Sequence, residues 1–86
     1  MTSTKKGTRL SPDESTEWLR SRMVQLEIKG LDELQRISGV DKGSISRYFR
    51  QERNPGIDVV APMCSALQVS PEVLLIALGA IGRKQR

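Results

Sequence analysis

Long cationic side chains are concentrated in residues 42–53, where four basic residues stand against one acidic residue and give a net charge of +3. Lys42 and Arg47 lie five positions apart, and Arg50 follows close behind. Such donors suit the O6 and N7 acceptors that guanine presents in the major groove of DNA, and they also bind phosphate oxygens. The stretch is therefore a candidate surface for a polyanionic partner, in keeping with the net charge of +4 for the whole chain.

Two short helices joined by a tight turn at Gly39 are predicted to position these donors. Glycine can adopt the left-handed conformation that ends a helix, and Asp41 can cap the helix that follows. Apolar residues three and four apart predict the buried sides of both helices: Leu34 and Ile37 in the first, and Ile45, Tyr48 and Phe49 in the second. A polar, basic face opposite such a stripe is typical of a helix-turn-helix whose second helix enters a major groove.

Three runs of residues also carry a family resemblance: residues 39–48, residues 53–55 and residues 66–70. Together they resemble the Cro/C1-type (XRE-type) helix-turn-helix repressors over residues 17–80. Many members carry an acidic residue at the position of Phe49, and in this respect the chain looks more like the lambda repressor branch. The resemblance implies an all-α, five-helix lambda-repressor-like DNA-binding domain, with helices 2 and 3 forming the helix-turn-helix.

Two residues depart from the family pattern. Leu31 stands where a phosphate-contacting glutamine is frequent, and Gln35 stands where a small residue usually lets the two helices approach closely. The departures concern a phosphate contact at the start of helix 2 and the packing of helix 2 on helix 3.

The resemblance also implies roles for single residues. By this likeness Lys42, Gly43 and Arg47 face bases, and Ser44, Ser46 and Arg50 lie near bases or phosphates. We assign Ser46 to the bases, and Ser44 and Arg50 to the phosphates. The position and basic character of the loop and of the N-terminal segment add four candidate phosphate contacts: Arg53, Asn54, Lys5 and Lys6.

The chain divides into a flexible basic N-terminal arm (residues 1–10), one helix-turn-helix DNA-binding domain (residues 11–82) and a basic tail (residues 83–86). The first helix is expected to start at the Ser11 cap and to run to about Ile28. Helix 4 is expected over residues 57–69 with Ile57 buried. Pro62 deletes a hydrogen bond in that helix, so we expect a late start near Val60 or a kink.

A second cap-plus-proline start, Ser70-Pro71-Glu72, precedes the last helix, which is expected from Val73 to about Ile81 and is apolar almost all round. A small domain cannot bury every side of such a helix, which predicts a partner surface, most simply in a homodimer. The resemblance implies a dimer through the same helix. The predicted interface residues are Leu74, Leu75, Leu78 and Ile81, although a helix fully buried in the monomer is the alternative.

Composition argues against several functions. The chain has no histidine, a single cysteine and no glycine-rich phosphate loop, so we expect neither an enzyme, nor a metal site, nor a cofactor. The apolar run over residues 73–81 is far shorter than the ~20 residues that cross a bilayer. No signal peptide is recognisable, and we expect a cytoplasmic protein without a membrane partner.

The sequence therefore predicts a regulator of transcription that binds double-stranded DNA sequence-specifically. We expect a phage-type repressor that binds a pseudo-palindromic operator as a dimer, with helix 3 in the major groove. Two alternatives remain open at this point. One is an antitoxin of the same fold, and the other is a protein-interaction module without specific DNA binding.

Overall fold

The computed structural model describes residues 8–82, which form five α-helices and no strand. The helices are α1 (Pro12–Gln25), α2 (Leu31–Ser38), α3 (Lys42–Phe49), α4 (Ile57–Leu67) and α5 (Pro71–Ala77). The predicted all-α, five-helix architecture is confirmed within this range. Most of the predicted arm, with Lys5 and Lys6, and the predicted tail lie outside the described residues.

Side-chain caps start α1 and α5 where the sequence predicts them. The Ser11 hydroxyl accepts from the Glu14 N–H at 3.2 Å, and the Glu14 carboxylate accepts from the Ser11 N–H at 2.8 Å, which forms a capping box. The Ser70 hydroxyl accepts from the Val73 N–H at 3.2 Å. In both helices a proline fills the first position, where its missing N–H costs nothing.

One mainly aliphatic core joins all five helices. Phe49 is 1% exposed at its centre, and the Trp18 ring stacks on it with the centroids 6.1 Å apart. Burying each large apolar side chain contributes about 1.5–3 kcal/mol. The most deeply buried apolar residues are Leu34, Ile45, Phe49, Met63, Leu67 and Leu74.

Two apolar residues predicted to be buried are exposed instead: Ile37 at 48% and Ile57 at 91%. Ile37 lies in the last turn of α2, and Ile57 is the first residue of α4. Helical periodicity identifies the side of a helix but not how far the neighbouring helices extend, so residues at helix ends can stand beyond the core.

Helix α1 ends earlier than predicted, at Gln25 rather than near Ile28. Glu27 has a positive φ of 58°, which turns the chain back after the helix. The Ile28 N–H donates to the Met23 carbonyl at 2.8 Å, and its side chain is 8% exposed. Ile28 is thus a core residue supplied by the turn, not by the helix.

Helix α4 begins at Ile57 and runs without interruption through Pro62, so the predicted late start near Val60 is wrong. Proline in a helix leaves the carbonyl four residues earlier without its N–H donor. That carbonyl belongs to Asp58, an exposed residue in the first turn, where water can hydrate it. The last helix is also shorter than predicted, because α5 ends at Ala77 and Gly79 follows with φ 75°.

Within residues 8–82 no single helix has the length and hydropathy needed to cross a membrane. Helices α4 and α5 meet that requirement only when they are counted together, and they are bent by 97° relative to each other.

Gln51, in the loop after α3, contacts residues near both ends of the domain. Its φ of 61° is left-handed, and its side-chain amide donates to the Leu10 carbonyl and to the Ser15 hydroxyl, both at 2.8 Å. Ser15 is fully buried, so this bond satisfies a polar group that water cannot reach. Gly79 packs so closely on this site that a Cβ there would overlap the Gln51 amide nitrogen.

Alanine substitutions at Gly39 and Gly79 should therefore differ sharply. Both residues have nearly the same left-handed φ (76° and 75°), so both substitutions carry a strain of about 1–2 kcal/mol. A Cβ at Gly39 meets nothing within 4 Å, whereas one at Gly79 also lies 2.9 Å from the Leu10 carbonyl oxygen. Urea unfolding should show Gly79→Ala less stable than Gly39→Ala by at least about 1 kcal/mol. Equal losses would contradict the packing described for Gln51.

Candidate nucleic-acid interface

Three consecutive residues, Gly39, Val40 and Asp41, fix the turn between α2 and α3. Gly39 is left-handed, and its N–H donates to the Gln35 carbonyl at 2.8 Å. Val40 follows at 9% exposure and anchors the turn in the core. The Asp41 carboxylate then accepts from the Ser44 N–H at 3.1 Å and caps α3.

Helix α3 has one buried and one exposed side. Ile45, Tyr48 and Phe49 are buried, as predicted, at 0%, 8% and 1% exposure. The remaining residues of the helix and its C-cap, Arg50, divide into an exposed group (Lys42, Arg47 and Arg50) and a half-buried group (Gly43, Ser44 and Ser46). From Lys42 to Arg50 there is no carboxylate. We call the exposed and half-buried residues together the basic face of α3.

Arg47 lies along α3 above Gly43. A Cβ built at Gly43 would stand 3.7 Å from the Arg47 Nη1 atom, so the guanidinium reaches back one helical turn. None of the ion pairs within residues 8–82 involves Arg47. Its donors are thus uncommitted to any described carboxylate.

Lys42, the first residue of α3, is held in place by two contacts. Its N–H donates to the Gln35 side-chain oxygen at 2.8 Å, and its ammonium forms a hydrogen-bonded ion pair with the Asp32 carboxylate of α2. The hydrogen bond and the charge of Asp32 raise the pKa of Lys42, with a smaller contribution from Asp41. Lys42 therefore stays protonated at neutral pH and keeps its cationic donor.

The two departures from the family pattern have clear structural outcomes. Leu31 is half-buried and packs against the core, so it offers no polar contact at the start of α2. Gln35 is half-buried, and its amide oxygen accepts from the Lys42 N–H. Gln35 thus joins the two helices with a hydrogen bond where a small residue would join them by close packing.

The loop after α3 presents Arg53 and Asn54 as exposed side chains. Arg50 pairs with Glu52 at 3.5 Å, and both side chains are 53% exposed. An exposed pair of this kind contributes about 0–1 kcal/mol to stability. Arg50 thus ends the basic face, and Arg53 and Asn54 follow it as exposed loop residues.

The predicted dimer residues separate into two sets. Leu74 and Leu78 are 1% and 6% exposed and form part of the core of the chain, which leaves them little surface for contact with a second copy. Leu75 is half-buried, and Ile81 is 38% exposed. Val73, not among the predicted residues, is 41% exposed beside them.

A metal site and a reactive thiol are the other two kinds of site to consider within residues 8–82. Residues 8–82 contain no group of three His, Cys, Asp or Glu side chains placed to hold a metal ion. Cys64 is half-buried, and burial raises the pKa of its thiol, which keeps it protonated and weakly nucleophilic at neutral pH.

A helix-turn-helix with a cationic second helix defines the class of protein, a DNA-binding domain. A family model described as helix-turn-helix matches residues 19–74, about two thirds of the chain. The chain belongs to this family, the Cro/C1-type (XRE-like) helix-turn-helix proteins, which are DNA-binding regulators and not typically enzymes. No curated protein and no solved structure gives a significant match.

Two residues of this surface were not predicted from the sequence as functional. Asp32 pairs with Lys42 across ten positions of chain, and Gln35 was recognised only as a departure in packing. A carboxylate in the first turn of a helix ordinarily indicates only a favourable interaction with the helix dipole, so no local signal marks Asp32 as a partner of Lys42.

Removing the Gln35 acceptor should loosen the start of α3. Gln35→Ala leaves the Lys42 N–H to water and should lower the free energy of unfolding by about 1 kcal/mol. Gln35→Glu keeps an acceptor beside that N–H, so it should retain most of the stability. Urea unfolding of both variants tests this, and equal losses would argue against the hydrogen bond as the cause.

Proposed function

We propose that this protein binds double-stranded DNA sequence-specifically with α3 in the major groove, and that it represses transcription by occupying its site. The observation that carries the proposal is the basic face of α3, which is anchored by buried residues on its other side and has no acidic residue of its own. The family is one of DNA-binding regulators, which supports the same conclusion. Such a protein would act in the cytoplasm, where it meets the nucleoid.

Base recognition is assigned to four residues of α3. Arg47 forms no ion pair within residues 8–82, and its planar guanidinium donors match guanine O6 and N7. Lys42 supplies a second cationic donor five residues earlier. Gly43 has no side chain and lets the backbone approach a base edge closely. Ser46 is half-buried on the same helix and contributes a hydroxyl that can donate or accept.

Phosphate contacts are assigned to residues at the edges of this face. Ser44 lies in the first turn of α3, while Arg50, Arg53 and Asn54 lie at its end and in the following loop. Contacts of this kind fix the register of a protein on the duplex without reading its sequence. Lys5 and Lys6 remain candidate phosphate contacts on the sequence alone.

A dimer is the proposed assembly on DNA. Two copies related by a twofold axis would place two α3 helices about 34 Å apart, over the half-sites of a pseudo-palindrome. Since Leu74 and Leu78 belong to the core, the interface is assigned to Leu75, which is half-buried, and to Ile81 together with Val73, which are exposed.

Selection of bound duplexes from a random pool tests the proposal. The expected result is a recurring half-site present twice, with the centres one helical turn apart, and an affinity that falls steeply with salt because bound cations displace counterions. Recovery of no common sequence, together with a flat salt response, would overturn DNA binding as the function. Co-purification with a small neighbouring protein would favour the antitoxin alternative.

Variants of Arg47 and Arg53 separate base reading from phosphate binding. Arg47→Ala should cost about 1–3 kcal/mol on the selected site and relax specificity at one base pair. Arg47→Lys keeps the charge but loses the planar fork, so it should relax specificity with little change in salt dependence. Arg53→Ala should weaken all duplexes alike and lower the salt slope by about one. Equal loss on every sequence for Arg47→Ala would remove its base-reading role.

Ile81 offers a direct test of the proposed dimer. Ile81→Lys introduces two like charges into an apolar symmetric interface and should shift sedimentation from dimer to monomer. Val24→Lys is the control, because Val24 is also an exposed apolar residue, at 70% exposure, and lines a surface groove of α1 with Ile28 and Leu31. Persistence of the dimer in Ile81→Lys, or its loss in Val24→Lys, would reject this interface.

A further inference from the structure

The ion pair between Lys42 and Asp32 is the only one within residues 8–82 that links α2 to α3. Both side chains are accessible, with the Lys42 side chain 52% exposed and the Asp32 side chain 83% exposed. The pair therefore lies on the surface, at the first residue of the helix that we propose to read bases.

Stability does not account for this pair. An exposed ion pair contributes about 0–1 kcal/mol. Glu33 already stabilises the start of α2, because its carboxylate accepts from the Lys29 N–H at 2.8 Å and complements the helix dipole. A second carboxylate beside the basic face of α3 would also repel DNA phosphates, so its presence there calls for a role in binding.

Asp32 restricts what Lys42 can do. The Lys42 backbone is fixed by Gln35, and its ammonium is fixed by Asp32, so both ends of a long flexible side chain are restrained. A restrained side chain has already lost the rotamer freedom that base recognition would otherwise remove. A free lysine in the same place would turn to the nearest phosphate, which carries no sequence information.

We propose that Asp32 is a positioning residue for specificity: it holds Lys42 as an oriented donor for one base pair and withholds it from the phosphate backbone. The inference rests on the proposed function of α3. It predicts that removing Asp32 strengthens binding to random DNA while it weakens discrimination at the base pair that Lys42 reads.

Asp13 provides a matched control. It is an exposed aspartate at the second position of α1, as Asp32 is at the second position of α2, and it has no ion pair among the described residues. Asp32→Ala and Asp13→Ala thus change the net charge and the helix-dipole interaction equally. Only Asp32→Ala releases Lys42.

The experiment measures affinity for the selected duplex, for its single base-pair variants and for random DNA, at two salt concentrations. Relative to Asp13→Ala, Asp32→Ala should lose up to about fivefold in discrimination at one base pair, the size of one exposed ion pair, and should bind random DNA more tightly. Asp32→Glu keeps a carboxylate and should restore discrimination. In a Lys42→Ala background, Asp32→Ala should change discrimination no further.

The outcomes separate the inference from the function beneath it. If the wild-type protein discriminates among duplexes but Asp32→Ala behaves like Asp13→Ala, the role of Asp32 is overturned while base reading by α3 stands. If the wild-type protein discriminates among no duplexes, the proposed function itself fails. Urea unfolding of both alanine variants should be nearly equal, and a selective loss of stability in Asp32→Ala would mark a structural role instead.

Discussion

Burial of Ile45, Tyr48 and Phe49 fixes which side of α3 faces solvent, and the properties of the site depend on it. Phe49 lies beneath the stacked Trp18 ring at 1% exposure, so α3 cannot rotate without opening the core. Because that stripe is fixed, Lys42 and Arg47 remain outside. The hydrophobic core thus determines the position of charges that do not themselves contribute to it.

Charge is divided unevenly along the folded chain. Residues 11–41 contain seven acidic and four basic residues, whereas residues 42–53 contain four basic and one acidic. Within residues 11–82 the excess of positive charge is therefore confined to α3 and the loop after it. A localised cationic surface favours one orientation of the protein on a polyanion, which a uniform charge would not.

Much of the architecture could be predicted because its causes are local. The Ser11 and Ser70 caps, the left-handed Gly39 and the apolar stripe of α3 each depend on residues within four positions of one another. The predictions that were wrong concern helix ends. Ile37 and Ile57 are exposed there instead of buried, and Glu27, with its positive φ, turns the chain back after α1.

Contacts between distant residues could not be predicted. Arg22 donates to the Leu67 carbonyl at 2.9 Å across 45 positions, and Gln51 donates to the Leu10 carbonyl across 41. The pairing of Asp32 with Lys42 and the burial of Leu74 and Leu78 also depend on how helices pack.

The most direct test of the central claim is methylation interference on a selected duplex, because N7-methylguanine blocks a major-groove acceptor and leaves phosphates intact. Base reading by α3 predicts that methylation at one or more half-site guanines abolishes binding. Binding that survives methylation at every guanine would contradict it.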